Sequence, residues 1–254
     1  MDDAIRALAA LLRPATRILV FTGAGMSTES GIPDFRSPGG IWDRYPIVYF
    51  DEFLRDEEAR KRYWRRSRET YPVLARAEPN PAHYAIAELE RRGKVLAVVT
   101  QNIDGLHARA GTTPDKLIEL HGNNLAVVCL DCGARTPREA IQAELVAGVE
   151  VPRCARCGGL LKNTTVSFGE PLPAEALQRA TLAALTCDLC LVIGSSLVVY
   201  PAADIPVLAA QQGAPLAIIN TTPTPLDATA DLVLHARAGE VLPAAVAALD
   251  QAAD

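Results

Sequence analysis

The chain has 254 residues, of which 49% are hydrophobic and 22% are charged, and its formal net charge is -5. This is the composition of a globular protein, and its mild acidity argues against general nucleic-acid binding, which usually requires a basic surface. No apolar run reaches the roughly 18 residues that a transmembrane helix needs, and acids stand where a secretion signal would carry bases, so we expect a cytoplasmic protein with no membrane partner.

Apolar runs and helical stretches alternate along the chain. An amphipathic helix that ends before Pro14 comes first, and the later predicted helices are 81–93, 174–186, 201–213 and 239–253. The predicted buried strands are 17–22, 94–100, 116–120, 188–194, 215–220 and 231–236. Continuous Val, Ile and Leu runs between helices indicate a parallel sheet that is covered on both faces. We therefore predict an α/β fold with a doubly wound, Rossmann-like parallel sheet, whose ligands bind at the carboxyl ends of the strands.

Two stretches interrupt this alternation. Residues 38–80 hold aromatic residues and arginines with little periodicity, and residues 122–170 hold four of the six cysteines. We predict that both are insertions that form a smaller lobe over one edge of the sheet. The predicted division is a Rossmann-like domain of residues 1–37, 81–121 and 171–254, with a small lobe in which residues 38–80 form a helical insertion and residues 122–170 form a four-cysteine zinc ribbon.

Two Cys-x-x-Cys pairs lie in the second insertion, and 21 residues separate them. Each pair is followed by a glycine, which allows backbone amides to turn toward the thiolates. This spacing is close to that of a four-cysteine zinc ribbon, in which four thiolates leave no open position, so the predicted zinc ion is structural. A third pair, Cys187 and Cys190, stands at a helix end and inside an apolar strand, and we interpret both as free thiols. The four predicted zinc ligands are Cys129, Cys132, Cys154 and Cys157.

The loop after the first strand reads GAGMSTESGIPDFRS over residues 23–37. Residues 23–25 are half of a dinucleotide-binding fingerprint, but Thr28 stands where the third glycine belongs, and no acid follows a second strand about 20 residues on. A Gly-x-Gly pair alone is equally typical of a tight turn between a strand and a helix. If the loop binds a dinucleotide, the segment 33–36 has a task that a plain dehydrogenase does not need.

Polar residues follow five of the predicted strands. They are Thr22; Gln101, Asn102, Asp104 and His107; His121; Gly194, Ser195 and Ser196; and Asn220, Thr221 and Thr222. Because the carboxyl ends of parallel strands share one edge, these residues indicate one polar cleft. His121 is the best acid–base candidate by position, since imidazole titrates near neutrality, and His107 is the second. We interpret His83 and His235 as structural.

Several motifs occur together here in a fixed order. They are GAG-S--SGIPDFR, TQNID-LH, HG, the two Cys-x-x-Cys pairs, V-FGE, GSSLVVYPAA and IN. The chain resembles the sirtuins, which are NAD-dependent protein lysine deacylases, and it looks most like their bacterial members. The resemblance covers nearly the whole chain.

The resemblance implies that NAD binds as a consumed co-substrate. Amides near Ala24 would face its phosphates, Phe35 would shield the nicotinamide from water, and Asn220 would face the adenosine. The segment around Pro33 would change its conformation with the ligand, which explains why the loop does not open a regular helix. His121 would be the general base, and Asn102 would be a second catalytic residue at the ribose. The residues implied at the NAD site are Gly23, Ala24, Gly25, Thr28, Phe35, Arg36, Gln101, Asn102, Ile103, Asp104, His121, Gly194, Ser195, Ser196, Asn220 and Ala238.

The resemblance also implies a reaction and a substrate. The acyl-lysine oxygen would attack C1′ of the nicotinamide ribose, nicotinamide would leave, and an O-alkylimidate would form. His121 would then take a proton from the ribose so that its 2′-oxygen attacks the imidate, which gives lysine and O-acyl-ADP-ribose. The substrate peptide would join as an added strand. The residues implied to border it are Val166, Gly169, Val198, Val199 and Tyr200.

The sequence leaves open which acyl group the enzyme would remove. Tyr63 and Arg66 form a Tyr-x-x-Arg pattern that some succinyl- or malonyl-removing sirtuins carry, because a guanidinium and a phenol can bind the acyl carboxylate. The arginines at 62, 65, 66 and 68 are equally typical of a solvated helix face, and plain deacetylation is the default. Lys162-Asn163 stands where many relatives carry Arg-Pro, which bears on substrate preference and not on the reaction.

Three other classes of function remain as alternatives: an oxidoreductase, a non-catalytic binding module and a transferase. An NAD-linked oxidoreductase is disfavoured because the dinucleotide-binding fingerprint is incomplete in this chain and because such an enzyme would not need a zinc ribbon. A non-catalytic ADP-ribose sensor is disfavoured by the full set of polar strand ends, and a zinc-ribbon nucleic-acid binder by the acidic charge. A mono-ADP-ribosyltransferase on the same fold differs in its product, because it adds ADP-ribose to a protein.

Overall fold

The structure is a computed structural model that describes residues 2–34, 40 and 44–251. Its strands are β1 (Ile18–Thr22), β2 (Val95–Thr100), β3 (Leu117–Glu119), β4 (Gly122–Cys129), β5 (Arg135–Pro137), β6 (Leu161–Thr165), β7 (Leu189–Ile193), β8 (Leu216–Ile219) and β9 (Leu232–Leu234). Its α-helices are α1 (Asp2–Leu12), α2 (Phe50–Arg55), α3 (Glu57–Arg76), α4 (Pro81–Arg91), α5 (Leu106–Ala110), α6 (Arg138–Val146), α7 (Ala174–Thr186), α8 (Asp204–Gln211) and α9 (Ala238–Ala247). Short 3₁₀ helices cover Ala24–Ser30, Asp227–Thr229 and Ala248–Asp250.

The larger sheet has six parallel strands in the order β3-β2-β1-β7-β8-β9. From β1 the chain moves outward to β2 and β3, and from β7 it moves outward in the opposite direction. The strand order therefore reverses between β1 and β7, and a crevice opens at the carboxyl ends of these two strands. The prediction of a doubly wound, Rossmann-like sheet is confirmed.

Helices cover both faces of this sheet, which explains why its strands are continuous apolar runs. Every residue of β1 is buried. Ile18 and Val20 pack against α1, α4 and α9, whereas Leu19 and Phe21 pack against α7 and α8. The central strand therefore belongs to two hydrophobic clusters at once.

The sequence predicts the start of α4 correctly but places the start of α8 too early. Asn80 caps α4, since its Oδ1 accepts hydrogen bonds from Ala82 N at 3.0 Å and His83 N at 3.3 Å. The helix predicted at 201–213 begins only at Asp204. Pro206 falls in its first turn, where backbone N–H groups have no intrahelical acceptor, so the proline fits.

The predicted ends of three other elements also differ from the structure. The strands predicted at 116–120 and 231–236 are reduced to the three residues of β3 and of β9. The last helix ends at Ala247, before the predicted 253, and a 3₁₀ turn follows it. These differences lie at element ends, where pairing and packing decide the boundary.

A second, antiparallel sheet has the order β5-β4-β6 and packs with α3 and α6. The 20-residue α3 lies in the stretch that showed little periodicity, and Asp56 caps it by accepting hydrogen bonds from Glu58 N at 3.0 Å and Ala59 N at 3.2 Å. The hydrophobic periodicity of α3 is weak because its buried face combines Tyr63 and Trp64 with the polar residues Arg60 and Ser67. The boundaries assigned to the two predicted domains remain a prediction.

In the part of the chain that the structure describes, no helix combines the length and the apolar character needed to cross a membrane.

Candidate functional site

The loops after β1 and β7 touch at the switch point of the sheet. Gly23 N donates to Ile193 O at 3.1 Å, and Gly25 N donates to Gly194 O at 2.8 Å. A Cβ on Gly25 would lie 2.9 Å from Gly194 Cα, and one on Gly194 would lie 2.1 Å from Met26 N. The glycines therefore allow two backbones to meet, and the amides of Gly23 and Gly25 already have partners within the chain.

A buried polar cluster lies directly beside these loops. Ser27 Oγ donates to Asp104 Oδ2 at 2.7 Å, and Asn102 Nδ2 donates to Ser27 Oγ at 3.1 Å and to Gly23 O at 3.0 Å. Leu106 N donates to the second oxygen of Asp104 at 2.9 Å. Burial raises the pKa of Asp104, while the hydrogen bonds from Leu106 and Ser27 oppose this shift. The predicted site residues Asn102 and Asp104 are thus joined to the glycine loop.

His121 has a defined tautomer. Its Nδ1 is 2.9 Å from the backbone oxygen of Gln101, and because a carbonyl oxygen can only accept, Nδ1 carries the proton. Nε2 then has a free lone pair. Burial lowers the pKa of His121, and the hydrogen bond to Gln101 partly opposes this, so the ring is neutral at pH 7.

The residues that follow β2, β3 and β7 converge around this histidine. Gln101 Nε2 donates to Ser195 Oγ at 2.9 Å, and its backbone oxygen binds His121. Leu197 N donates to the same Ser195 Oγ at 3.3 Å. Ser196 and Ile103 are half-buried at the same edge. Hydroxyl, amide and imidazole groups on one edge are a donor and acceptor set that fits the ribose hydroxyls of NAD.

The other predicted histidine lies deeper. His107 Nε2 is 3.0 Å from Thr22 Oγ1, which donates to Thr100 Oγ1 at 2.8 Å, and Asn102 N donates to the same Thr100 oxygen at 3.0 Å. Burial, followed by the neighbouring His83, lowers the pKa of His107 to about 3. His107 is buried and hydrogen-bonded inside the sheet edge, whereas His121 is only half-buried.

The far end of the crevice contains Asn220 and the start of α9. Asn220 Nδ2 donates to Thr222 O at 2.7 Å, and His235 Nδ1 donates to Asn220 O at 3.1 Å. Ala238 is the buried first residue of α9, and Gly239 N donates to Glu29 Oε2 at 2.8 Å. A carboxylate from the first loop therefore lies at the amino-terminal end of this helix, where it is stabilised by the helix dipole.

The predicted peptide-binding residues lie in two loop segments, 166–169 after β6 and 198–200 after β7. Val166 N donates to His121 O at 2.8 Å, and Gly169 has a φ of +81°. Val199 is half-buried, whereas Val198 and Tyr200 are exposed. Exposed apolar side chains such as those of Val198 and Tyr200 are a common feature of binding surfaces.

Tyr63 and Arg66 are adjacent, but the phenol points into the small lobe. Tyr63 is 2% exposed and its hydroxyl accepts a hydrogen bond from Asn163 N at 3.2 Å. Its ring centroid is 4.8 Å from that of Phe53 and 5.3 Å from that of Trp64. Arg66 Cζ is 5.6 Å from the Tyr63 ring centroid, and burial lowers the pKa of this guanidinium. A proline in place of Asn163 would lack the N–H that binds the phenol.

The four predicted metal ligands form one cluster. All four Sγ atoms lie within 4.8 Å of one another. Cys129 Sγ is 3.5 Å from Cys157 Sγ, and Cys132 Sγ is 3.7 Å from Cys154 Sγ. A tetrahedral zinc ion bound at ~2.3 Å sets its sulfur ligands ~3.8 Å apart. The cluster therefore fits a structural zinc ion.

The turns that present these thiols depend on the two glycines. Gly133 and Gly158 have φ values of 71° and 73°, which other residues rarely adopt. Gly133 N donates to Cys129 O at 3.0 Å and Gly158 N donates to Cys154 O at 2.7 Å. Each glycine closes one knuckle of the ribbon.

The remaining cysteines lie on the larger sheet. Cys190 is a fully buried residue of β7, and Cys187 ends α7 with its Sγ 3.4 Å from Ala184 O. Burial raises the pKa of Cys187 to about 11 and raises that of Cys190 well above its usual value. Both thiols are therefore protonated at neutral pH.

Comparison with known proteins identifies the family. The family model described as "Sir2 family" matches residues 23–201. The chain belongs to the Sir2 family, the sirtuins. A curated NAD-dependent protein deacetylase of Thermodesulfovibrio yellowstonii is 48% identical over 91% of this chain and 90% of its own length.

Two solved Sir2 structures are similar over nearly their whole length. One, determined for the mechanism and regulation of Sir2 enzymes, has a TM-score of 0.89 and 45% identity, and the match covers 99% of both chains. Another, a Sir2 complex with a p53 peptide and NAD+, has a TM-score of 0.86 and 37% identity, with 94% of this chain and 95% of that chain covered.

The contacts of two residues of the first loop, Ser27 and Glu29, were not predicted from the sequence. Phe35 and Arg36 lie outside the described residues. Thr28 is exposed and its hydroxyl donates to Gly25 O at 3.0 Å within its own helix. Ser27, one position earlier, joins Asn102 and Asp104 instead, and it is the serine of the GAG-S motif. Glu29 was also missed, because only the fold reveals its contact with α9.

Proposed function

We propose that this sirtuin is an NAD-dependent protein lysine deacylase, which converts an acyl-lysine, NAD and water to lysine, nicotinamide and O-acyl-ADP-ribose. The observation that carries the proposal is the hydrogen bond from His121 Nδ1 to Gln101 O at 2.9 Å. It leaves an unprotonated Nε2 at the crevice, as a general base requires. The family and the names of the relatives support the same activity.

We assign the chain's part in the reaction to the residues around His121. NAD supplies the ribose that receives the acyl group and the nicotinamide that leaves. His121 Nε2 takes a proton from a ribose hydroxyl, and Gln101 keeps the imidazole in the required tautomer and orientation. Asn102 faces the ribose, and its amide nitrogen is held by Gly23 and Ser27. Ser195 and Asn220 face the ribose and the adenosine, respectively, and the remaining predicted residues complete the cofactor site.

We further propose that the substrate peptide binds as an added strand between 166–169 and 198–200. The hydrogen bond from Val166 N to His121 O links this segment to the base, at 2.8 Å. An acyl-lysine inserted from there would approach Nε2 of His121. The exposed Val198 and Tyr200 would then be covered by the peptide.

For the acyl group we propose an uncharged chain such as acetyl. A carboxylate clamp needs the hydroxyl of Tyr63 to reach the acyl group, but the Tyr63 side chain is only 2% exposed. Arg66 alone would then have to bind an acidic acyl group. This favours deacetylation over removal of succinyl or malonyl groups.

The test is incubation of the protein with NAD and a panel of acyl-lysine peptides, followed by mass spectrometry. Deacylation removes the acyl mass from the peptide and produces nicotinamide and O-acyl-ADP-ribose in equal amounts. A gain of ADP-ribose mass on protein, with the acyl group retained, would instead indicate a mono-ADP-ribosyltransferase. Formation of NADH would indicate an oxidoreductase.

A further inference from the structure

An ion pair between a buried lysine and a half-buried glutamate lies at the predicted peptide segment. Lys162 is 2% exposed, and its Nζ is 2.8 Å from Glu170 Oε2. The same ammonium group donates to Thr165 O, and it lies 5.7 Å from the centroid of the Phe50 ring. Lys162 is in β6 and Glu170 follows the segment 166–169, so the pair connects the two ends of this segment.

Glu170 also holds the segment from within. Its Oε2 accepts a hydrogen bond from Ser167 N at 2.8 Å, and Glu170 N donates to Ser167 O at 3.1 Å. Phe50 N donates to Phe168 O at 2.8 Å, and Phe50 begins α2. The segment is therefore fastened at Ser167 and Phe168, and one carboxylate oxygen serves both Lys162 and Ser167.

Breaking the Lys162–Glu170 ion pair would disturb mainly segment 166–169. A buried ammonium group that loses its carboxylate remains as an uncompensated charge, and the structure around it must open to water. Residues 166–169 are neither helix nor strand, so they have no regular hydrogen-bond ladder that could keep their shape. Loss of the pair would first release Ser167 and then change the direction of Val166.

We propose that Lys162 and Glu170 are positioning residues that set the conformation of segment 166–169 and thereby the affinity for the substrate peptide. The proposal rests on the deacylase function and the peptide site proposed above. Neither residue touches the reacting atoms. Lys162 occupies part of the place where many relatives carry Arg-Pro, and the ion pair shows what this lysine does in the present chain.

The experiment measures KM for the peptide and for NAD separately in Glu170→Gln and Lys162→Met. We expect KM for an acetyl-lysine peptide to rise about 10-fold, as for the loss of one charged hydrogen bond, while KM for NAD and kcat change less than about twofold. Lys61→Met is the matched control, because Lys61 forms ion pairs with Glu58 and Glu150 in the same lobe. It should leave both KM values unchanged.

A readout without catalysis separates positioning from general destabilisation. Amide hydrogen exchange should become faster at 167–169 in Glu170→Gln, with the zinc content unchanged, and Lys162→Arg should keep peptide KM closer to wild type than Lys162→Met does.

An unchanged peptide KM in Glu170→Gln, or equal rises in both KM values, would overturn the inference. If Lys162→Met does not fold, Glu170→Gln decides, because glutamine keeps the size of the side chain and removes the negative charge that pairs with Lys162. A wild-type protein without deacylase activity would refute the proposed function instead, and the exchange result would then show whether the pair holds the segment.

Discussion

The rings of His83 and His107 lie against each other inside the protein, with their centroids 4.9 Å apart. His83 Nδ1 accepts a hydrogen bond from Asn80 N at 3.3 Å, and His107 Nε2 contacts Thr22 Oγ1 at 3.0 Å. Burial lowers the pKa of His83 to about 4, and burial with the neighbouring His83 lowers that of His107 to about 3. Both rings are therefore neutral in the folded protein throughout the physiological range.

This pair predicts that the protein loses stability in mild acid. Below about pH 6.5 the unfolded chain takes up protons that the folded chain excludes, so the free energy of unfolding falls as the pH falls from about 6.5 toward 4. Each histidine contributes about 2 kcal/mol between pH 7 and pH 5. Urea unfolding at the two pH values measures the change. His83→Gln should reduce the drop, His235→Gln should leave it intact, and an equal drop in all three proteins would contradict the prediction.

Replacement of one zinc ligand should remove the metal. Cys132→Ala is expected to lose zinc and to destabilise the small lobe, because binding of a structural zinc ion contributes directly to folding free energy. Elemental analysis of the purified protein gives the metal content, and thermal unfolding gives the stability. Cys187→Ser is the control and should keep one zinc per chain. Full zinc content in Cys132→Ala would show that the ligand set is assigned wrongly.

The role of His121 as general base predicts the effect of its replacement and the pH dependence of the reaction. His121→Ala should lower the deacylation rate by about 10² to 10⁴ while NAD binding, measured by calorimetry, is kept. Since burial lowers the pKa of His121, the wild-type kcat/KM should stay high below pH 6.5 and fall only as the ring becomes protonated at lower pH. An acid limb centred above pH 6.5, or loss of activity in His107→Ala with none in His121→Ala, would identify a different base.

The contact between the two glycine loops predicts unequal effects of two alanine substitutions. Gly194 and Gly213 both have positive φ, 61° and 85°, but a Cβ on Gly194 would be 2.1 Å from Met26 N, whereas nothing lies within 4 Å of one on Gly213. Gly213→Ala should cost about 1 kcal/mol of backbone strain. Gly194→Ala should cost several times more and weaken NAD binding. Similar melting temperatures for the two variants would mean that the loops can separate freely.

The burial of the Tyr63 phenol predicts how Arg66→Met will affect activity on succinyl-lysine and acetyl-lysine peptides. Arg66→Met should change kcat/KM on succinyl-lysine and acetyl-lysine peptides by the same factor, because the Tyr63 side chain is only 2% exposed and its hydroxyl is withheld from a clamp. The measurement is the ratio of the two kcat/KM values before and after the substitution. A selective loss of succinyl activity would instead establish Arg66 as a carboxylate ligand.

The larger sheet and the zinc cluster could be predicted because each depends on short-range patterns. A strand buried on both faces is a continuous apolar run, and two Cys-x-x-Cys pairs with following glycines are sufficient to indicate a ribbon. The sequence predicted a helical insertion at 38–80 but not the bounds of α3, because Arg60 and Ser67 interrupt its buried face. The hydrogen bonds of Ser27 to Asn102 and Asp104 could not be predicted, because facing directions in a 3₁₀ turn cannot be read from motif spacing. The pairing of His121 with a backbone oxygen depends on the path of the chain between β3 and β4, which no residue pattern encodes.

The core of the small lobe has a consequence for chimeric enzymes. Phe53, Tyr63 and Trp64 of the helical insertion pack in the same cluster as Cys129 and Cys154 of the ribbon. Two segments far apart in the sequence therefore depend on each other for burial. A hybrid sirtuin that takes one segment from this chain and the other from a relative would bring together surfaces that were never matched, so exchange between family members should succeed only when both segments are transferred as one unit.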